Sequence, residues 1–386
     1  MQQAWQAATK VISKLEENGF EAVFVGGAVR DHLMKRPFHD VDVATSALPL
    51  EVKALFRHTI DIGIEHGTIL VMDEGEPIEV TTYRTETTYS DFRRPDGVNF
   101  VRSLKEDMQR RDFTMNAIAM RGTGEIVDYF QGQRAIVEQR IEAVGQADER
   151  FTEDALRMLR AARFQAQLGF EIEQQTFQAI KNQAHLMTHI AMERIAQELS
   201  KLLIGAHVSK ALLTIEETGM EAYLPGVFYS EKWTGVQFES EQQAWAYIYC
   251  LNQQEYPDVL IAYKSSNKIK AYAKMIGHLV EQSQWTVELI FDHSLDVLAF
   301  AHQVKTYLGK QTISFEKIKR IKQSLPIQSM QELAVTGQQI VEWSNGQKGA
   351  WIKERLTLVK QAVLTKKVSN TREQIKEWYD ATFNEG

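Results

Sequence analysis

The stretch GGAVRDHLMKRPFHDVDVATSA occupies residues 26–47 and joins a pair of glycines to a pair of carboxylates. The alternation of aspartate and valine from Asp40 to Val43 predicts a half-buried strand. In a strand, residues i and i+2 face the same side, roughly 6.5–7 Å apart. Asp40 and Asp42 would therefore converge on metal ions about 3.5–4 Å apart, which is the spacing of a two-metal phosphoryl-transfer site.

The glycine pair supplies a second requirement of that chemistry. Because glycine has no Cβ, Gly26 and Gly27 let the backbone approach a phosphate and present N–H groups at the start of a helix predicted over 28–35. Arg30, in the first turn, would reach phosphate oxygens. An Asp-X-Asp alone is common on solvated strand edges, and a Gly-Gly alone is usually only a turn. Their combination predicts a phosphate and metal site.

Strand and helix signals mix along the first part of the chain and then separate. Apolar or alternating runs at 22–25, 67–72, 77–83 and 125–129 predict strands. From Thr152 onward helical periodicity dominates, and helices are predicted at 153–168 and near 174–185, 191–203, 208–217 and 240–252. We therefore expect an α+β protein: an α/β head followed by an all-helical remainder.

Glu79 lies in the third of those strand-like runs, next to Val80. We place it with Asp40 and Asp42 as a catalytic candidate. The pattern leaves two interpretations open, because Glu79 would either complete the metal shell or face solvent.

Composition limits the class of protein more than it identifies one. The 386 residues carry a formal net charge of −7, with 44% hydrophobic and 25% charged residues, which is ordinary for a globular protein. No apolar stretch approaches the length of a membrane span, and the N-terminus lacks the pattern of a signal peptide. The single cysteine, Cys250, excludes an internal disulfide and fits a reducing cytoplasm. RNA is not excluded by the net charge, because phosphate binding depends on local charge.

The stretch 26–47 resembles the signature of the polymerase-β-like nucleotidyltransferase superfamily, in the branch of class II tRNA nucleotidyltransferases and bacterial poly(A) polymerases. Four further motifs of that branch follow in the expected order: RRDFTMNA at 110–117, DYFQG at 128–132, EDALR at 153–157 and RIAQEL at 194–199. Beyond about residue 230 the resemblance is weaker.

The resemblance implies a domain order and a set of site residues. The domains would be a polymerase-β-like catalytic head at 1–147, a helical neck with a base-reading helix at 148–215, a helical body at 216–305 and a helical tail that binds tRNA at 306–386. Mg²⁺ would bind at Asp40 and Asp42. Nucleotide contacts are implied at Gly27, Arg30, Arg111, Asp154, Arg157, Arg160 and Arg163.

The last four of these residues recur at every third position. On one helix the row would span about 13–14 Å, enough to touch a nucleotide from base to triphosphate. A carboxylate accepts from an exocyclic amine and a guanidinium donates to ring acceptors, so Asp154 and Arg157 would accept cytosine or adenine and reject uracil and guanine. The alternative is an i,i+3 ion pair on a solvated helix, worth roughly a few tenths of a kcal/mol.

The expected activity is template-independent addition of C, C and A to the 3′ end of tRNA, with CTP and ATP as substrates and pyrophosphate as product. The segment 89–97 resembles the flexible loop that full CCA-adding enzymes use for the final A, and His66-Gly67-Thr68 is more similar to that branch. The alternatives are a bacterial poly(A) polymerase, a partial CC- or A-adding enzyme, and a non-catalytic RNA-binding protein.

The expected partners are tRNA and the substrates CTP and ATP, and no membrane association is expected. A homodimer is left open. Lysines and arginines cluster at 264–274, 305–322 and 348–367, where they would form an RNA track in the body and tail.

Overall fold

The computed structural model describes residues 2–38, 40–73, 75–86, 98–344, 346 and 349–383. The chain divides into two compact units, Met1–Ala244 with Gln254–Ser265, and Trp245–Gln253 with Ser266–Gly386. The finer division into head, neck, body and tail remains a proposal.

The first unit begins with a mixed α/β region. Its elements are α1 (Gln2–Glu17), β1 (Ala22–Val25), α2 (Gly27–Leu33), β2 (Asp42–Thr45), α3 (Pro49–Leu55), β3 (Thr59–Gly63), β4 (Thr68–Asp73), β5 (Glu76–Thr82), β6 (Arg84–Glu86), β7 (Val98–Phe100), α4 (Leu104–Gln109), β8 (Ile118–Arg121), β9 (Ile126–Asp128), α5 (Gly132–Val137) and β10 (Arg140–Ile141). The four strands predicted from the sequence outside the carboxylate pair match β1, β4, β5 and β9.

One sheet organises this region, with strand order β3-β4-β5-β2-β1-β8-β9. Its strand pairs are antiparallel except β2 with β5, which run parallel. In that register Asp42 lies beside Glu79, and on its other side β1 places Val25 opposite Asp42. The sheet therefore brings the carboxylate pair, the glycine turn and Glu79 to one place.

Helix α1 covers one face of the sheet. Ala8, Ile12 and Leu15 recur at helical spacing and are fully buried against the strands. Burying an isoleucine or leucine contributes about 1.5–3 kcal/mol relative to exposure. This helix anchors β1, after which the glycine turn begins.

Helices follow the sheet region almost without interruption. They are α6 (Ala147–Glu153), α7 (Leu156–Leu168), α8 (Gln174–Gln183), α9 (Met192–Leu203), α10 (Val208–Glu217), α11 (Glu241–Asn252) and α12 (Val259–Ala262), with the two-residue strand β11 (Glu171–Ile172) between α7 and α8. The predicted helical segments are confirmed with one exception. The prediction of a single helix over 153–168 is wrong, because α6 ends at Glu153 and α7 begins at Leu156.

The second unit is helical throughout its described part. It includes most of α11, from Trp245 onward. Its other helices are α13 (Asn267–Glu281), α14 (Val287–Asp292), α15 (Leu295–Tyr307), α16 (Phe315–Gln323), α17 (Gly337–Trp343), α18 (Trp351–Leu364) and α19 (Arg372–Phe383). None of the helices in the described residues has the length and apolar character needed to span a membrane.

Two lysines of the predicted RNA track make contacts inside this unit. Lys322 donates to the carbonyls of Ile290, Phe291 and His293 at 2.7–2.9 Å, at the C-terminal end of α14, where a cation is favoured. Lys305 is only 3% exposed. These two side chains are therefore not part of an exposed basic surface.

Candidate active site

A cleft of about 960 Å³ in the first unit collects the predicted site residues. All ten of them line it: Gly27, Arg30, Asp40, Asp42, Glu79, Arg111, Asp154, Arg157, Arg160 and Arg163. They come from the sheet region, from the break before α7 and from α7 itself, and Asp42 and Asp154 are more than a hundred residues apart in the chain. The fold therefore brings the predicted metal residues and the predicted base-reading residues to one cavity.

Asp42 is the first residue of β2, whereas Asp40 lies two residues before the strand begins. The strand expected from Asp40 to Val43 therefore starts later than predicted. The expected alternation nevertheless holds, because Asp40 is exposed, Val41 is buried and Asp42 is half-buried. Both carboxylates line the cleft.

The surroundings of Asp42 favour a bound cation. Burial, together with the charges of Glu79 and Asp40, raises the pKa of Asp42 to about 6, although the charge of Arg111 opposes this rise. The carboxylate therefore pays a desolvation and repulsion cost that a positive ion would relieve. One of the two repelling carboxylates is set beside Asp42 by the sheet, because Glu79 on β5 is the cross-strand partner of Asp42.

These carboxylates do not form a complete metal cage by themselves. Among the described residues, no three histidine, cysteine, aspartate or glutamate side chains are arranged to hold a metal ion. Glu79 is exposed and lines the cleft, so both of its interpretations remain open. A hard cation such as Mg²⁺ commonly takes one or two carboxylates and completes its shell with water and substrate phosphate oxygens. Asp40 and Asp42 fit that incomplete type of site.

The turn between β1 and α2 needs glycine at its first position. Gly26 has φ 71°, in the region that side chains rarely adopt. A Cβ there would lie 3.5 Å from Asp42 Oδ2 and 3.7 Å from Arg111 Nη1, in the space between the carboxylate and the arginine. Gly27 then begins α2. The turn keeps the backbone close to the carboxylate without filling the cleft.

Arg30 is less available than the sequence suggests. It is 7% exposed, and it donates through Nε and Nη2 to the two carboxylate oxygens of Asp31, each at 3.0 Å. Its Nη1 donates to Asn116 Oδ1 at 2.7 Å, and its guanidinium lies 5.3 Å from the Phe164 ring. A phosphate at this position would have to share Arg30 with Asp31.

Arg111 is held by a carboxylate that the sequence analysis did not identify. Asp107 is 1% exposed and accepts from Arg111 Nη2 at 3.2 Å and from Arg110 Nη2 at 2.7 Å. Burial alone would raise the pKa of Asp107, but Arg111 and Arg110 outweigh it and lower that pKa. The Nε of Arg111 is buried and has no hydrogen-bond partner in the structure. Arg111 therefore keeps one donor uncommitted.

Asp154 lies in the break between α6 and α7 and not on the helix. Its Oδ1 accepts from the backbone N–H of Leu156 at 3.1 Å, so it acts as a cap at the start of α7. Arg194 on α9 donates to both carboxylate oxygens, at 3.3 and 2.7 Å. The expected continuous row of four residues on one helix is thus corrected to a cap followed by three arginines of α7.

Arg157 is oriented from the preceding helix. Its Nη1 donates to Glu153 Oε2 at 2.7 Å, and its Nη2 donates to the carbonyl of Arg110 at 2.9 Å. The residue is 7% exposed. Arg157 is therefore a fixed part of the cleft wall. The alternative of an ion pair on a solvated helix requires an exposed side chain, which Arg157 is not.

The two remaining arginines of α7 are tied to buried acids. Asp112 accepts from Arg160 Nε at 2.9 Å, and Glu198 on α9 accepts from Arg163 Nε. Burial would raise the pKa of Asp112, yet Arg160 and further hydrogen bonds lower it to about 2. The guanidinium of Arg163 also stacks 3.9 Å from the Phe164 ring. These contacts fix the face of α7 that lines the cleft.

Sequence reasoning missed the residues that hold the predicted ones in place. Arg194 and Glu198 belong to the last quoted motif, where their i,i+4 spacing puts them on one face of α9. That spacing was the available signal, but it does not reveal partners on α7. Two exposed residues of the same helix, Gln197 and Lys201, also line the cleft.

Two other sequence features have clear positions. The segment 128–132 does not line the cleft; Asp128 accepts from the N–H groups of Gly132 and Gln133 and so starts α5. Thr68, of the segment His66-Gly67-Thr68, does line it. The loop-like segment 89–97 lies outside the described residues.

Comparison with known protein families gives three matches along the chain. Residues 22–142 match the poly A polymerase head domain, residues 169–229 match the probable RNA and SrmB-binding site of polymerase A, and residues 236–379 match the putative domain 2 of tRNA nucleotidyltransferase. Together these ranges cover most of the chain.

Individual relatives are similar over nearly the full length. A CCA-adding enzyme of Bacillus cereus is 43% identical over 97% of this chain and 98% of that protein. The crystal structure of the Bacillus stearothermophilus CCA-adding enzyme in complex with CTP has a TM-score of 0.87 at 40% identity, covering 100% of this chain and 98% of that one. A Thermotoga maritima CCA-adding enzyme complexed with tRNA, at 18% identity and a TM-score of 0.67, shares the fold.

Proposed function

The chain belongs to the CCA-adding enzyme family, and we propose that the cleft between the carboxylates of Asp40 and Asp42 and helix α7 is where it joins nucleotides to RNA. The enzyme adds C, C and A to the 3′ end of tRNA from CTP and ATP, with release of pyrophosphate. The observation that carries the proposal is the convergence of Asp40, Asp42, Asp154 and Arg157 on one cleft.

Asp40 and Asp42 are proposed to hold the divalent metal ion that this superfamily generally uses, and we propose Mg²⁺ as that ion. Support comes from the raised pKa of Asp42 and its crowding by Glu79 and Asp40. When bound, the metal would lower the pKa of the attacking 3′-hydroxyl and neutralise charge on the leaving pyrophosphate. Glu79 would strengthen this negative region, whether or not it contacts the ion.

The triphosphate is proposed to lie along the glycine turn. Gly26 and Gly27 leave room for phosphate oxygens close to the backbone, and Arg111 has an uncommitted buried Nε donor. Arg30, Arg160 and Arg163 would add positive charge while their acid partners keep them in place. Fixed donors of this kind stabilise developing charge without the cost of reorganising.

Asp154 and Arg157 are proposed to read the base. The Asp154 carboxylate would accept from the amino group of cytosine or adenine, and Arg157 would donate to the neighbouring ring nitrogen. Arg194 orients Asp154, and Glu153 orients Arg157. Uracil and guanine present a carbonyl and an N–H there, which leaves both protein groups mismatched.

Acceptor-stem RNA is proposed to reach the cleft from the helical part of the chain, which would contact it by shape and phosphates. The cytoplasm is the proposed location, since tRNA maturation is the activity. Self-association into a homodimer is left to a direct measurement of mass in solution.

Incubation of tRNA lacking its terminal CCA with Mg²⁺ and each nucleotide tests the function. We expect two cytidines from CTP alone, and C, C and A from CTP with ATP. Long A tails would indicate a poly(A) polymerase, and a stop after two cytidines in the presence of ATP would indicate a partial enzyme. No incorporation would leave only RNA binding.

A further inference from the structure

A second cavity, of about 630 Å³, lies in the C-terminal unit. It is formed by the loop after α13, by α15, by the loop leading into α16 and by α16 itself. Its lining residues are Ser283, Gln284, Trp285, Lys305, Gln311, Thr312, Ile313, Lys317 and Ile321. None of them belongs to the motifs that predicted the catalytic cleft. Its size is within the range of small-molecule sites.

One wall of this cavity is a fixed aromatic ring. Trp285 is half-buried, and its indole N–H donates to the carbonyl of Leu279 at 2.9 Å, which fixes the orientation of the ring. The half-buried Ile313 and Ile321 pack in the same apolar cluster. A fixed indole with aliphatic neighbours is a stacking platform for a planar ring, and every nucleobase has such a face.

A buried cation forms another wall. Lys305 is 3% exposed, and its ammonium donates to the carbonyl of Gln282 at 2.5 Å, 6.0 Å from the Trp285 ring. No carboxylate pairs with Lys305 in the ion pairs of the described residues, while the nearby Lys310 is paired with Glu281 at 2.6 Å. A buried ammonium with a carbonyl as its partner is costly to keep charged. An anion in the cavity would offset that cost.

The rim and the wider surroundings also favour an anion. Lys317 is exposed at the edge of the cavity. The residues from 266 to the end contain seventeen lysines and arginines against twelve aspartates and glutamates, although the whole chain has a net charge of −7. The local field therefore attracts a negatively charged ligand to this unit.

We propose that the Trp285–Lys305 cavity binds one unstacked nucleotide, with its base on Trp285 and its phosphate between Lys305 and Lys317. An aliphatic acid would make no stacking contact with Trp285, and an uncharged aromatic ligand would leave the buried charge of Lys305 without an anion. The nucleotide comes either from the RNA substrate, whose bases can be splayed out onto aromatic side chains, or from a free mononucleotide. The RNA source rests on the proposed function, and the free source does not.

The test compares wild type with Trp285→Leu and Lys317→Gln, and Lys319→Gln serves as the matched control. Lys319 is an exposed cation of the same helix α16 that does not line the cavity. Lys317 is exposed, so its replacement leaves the fold intact even if loss of Trp285 destabilises the unit. Circular dichroism checks the fold of each variant.

Chemical probing of base reactivity is carried out on tRNA lacking CCA, saturated with each protein. If RNA supplies the nucleotide, one base outside the 3′ end is protected by wild type and by Lys319→Gln but regains reactivity with Trp285→Leu. The tRNA Kd then rises about tenfold for Trp285→Leu, and by less for Lys317→Gln. In the second arm, AMP and CMP are titrated by calorimetry in the absence of RNA. If the nucleotide is free, wild type binds one of them and both cavity variants lose that binding.

The proposal is overturned if neither arm distinguishes the cavity variants from Lys319→Gln. CTP incorporation at saturating tRNA is measured in parallel and should persist in every variant. Failure of wild type to incorporate any nucleotide would count against the proposed function, whereas the AMP and CMP titrations would still test the cavity.

Discussion

Arg194 donates to both carboxylate oxygens of Asp154, at 3.3 and 2.7 Å, across forty residues of sequence. Asp154 is not part of a helix, so its side chain is fixed by this pair and by its cap contact with Leu156. The residue proposed to recognise the amino group of the incoming base is therefore positioned by α9. Four residues further along the same helix, Glu198 holds Arg163.

Replacement of Arg194 should loosen base recognition without weakening RNA binding. We expect Arg194→Leu to raise the KM for both CTP and ATP about tenfold, because a charged hydrogen bond contributes about 1.5–3 kcal/mol. The KM values of Arg194→Lys should lie between those of wild type and Arg194→Leu, since lysine keeps the charge and loses the paired geometry. Steady-state kinetics with saturating tRNA measures this. Glu193→Gln, at the neighbouring exposed residue, is the control, and equal KM values for Arg194→Leu and that control would contradict the role.

Replacement of Asp154 should change which base is accepted. An asparagine side chain carries an NH₂ donor that can pair with the O4 carbonyl of uracil. We expect Asp154→Asn to raise the ratio of kcat/KM for UTP to that for CTP about tenfold or more. Single-nucleotide incorporation assays give that ratio, and Glu149→Gln, an exposed acid of α6, is the control. An unchanged ratio would remove Asp154 from base reading.

The shared carboxylate of Asp107 should matter for stability. Its removal leaves Arg110 and Arg111 without the buried acid between them, and loss of one partner of a buried ion pair costs about 3–5 kcal/mol. We expect Asp107→Ala to lower the free energy of unfolding by that amount in urea. Glu106→Ala, at an exposed position of the same helix, should change it by less than about 0.5 kcal/mol. Similar midpoints for both variants would be inconsistent with the pairing described.

Asp112 gives a prediction about pH. Its pKa in the folded protein, about 2, is below the ordinary aspartate value of 3.8, so its ion pair with Arg160 stabilises the fold above pH 4 and is lost as the pH falls toward 2. Between pH 5 and pH 3 wild type should therefore lose about 1 kcal/mol more of its unfolding free energy than Asp112→Asn does. Urea unfolding at the two pH values measures the difference. Equal losses would show that Asp112 has an ordinary pKa.

The sequence predicted the sheet region well because its signals are local. Strand β1, the glycine turn and the alternation around Val41 are each determined by neighbouring residues, and the prediction for each is confirmed in position or in burial. The family resemblance added the order of motifs, and every residue it implied lines the cleft.

The pairings within the site could not be predicted in the same way. Asp112 with Arg160 and Asp154 with Arg194 join residues forty or more positions apart, and periodicity carries no information on such partners. The break at Asp154 had a local signal, since aspartate is a preferred residue at a helix start. The apolar periodicity continues across it, which is why a single helix was predicted.

Nucleotide incorporation by Asp42→Ala decides whether Asp42 holds the catalytic metal ion. The substrate is tRNA lacking CCA, with Mg²⁺, CTP and ATP, and Asp61→Ala is the control because it removes an exposed carboxylate from the same sheet. We predict that Asp42→Ala incorporates no nucleotide while its tRNA Kd stays within about twofold of wild type, and that Asp61→Ala adds C, C and A. Incorporation by Asp42→Ala at the rate of the control would show that Asp42 is not a ligand of the metal ion.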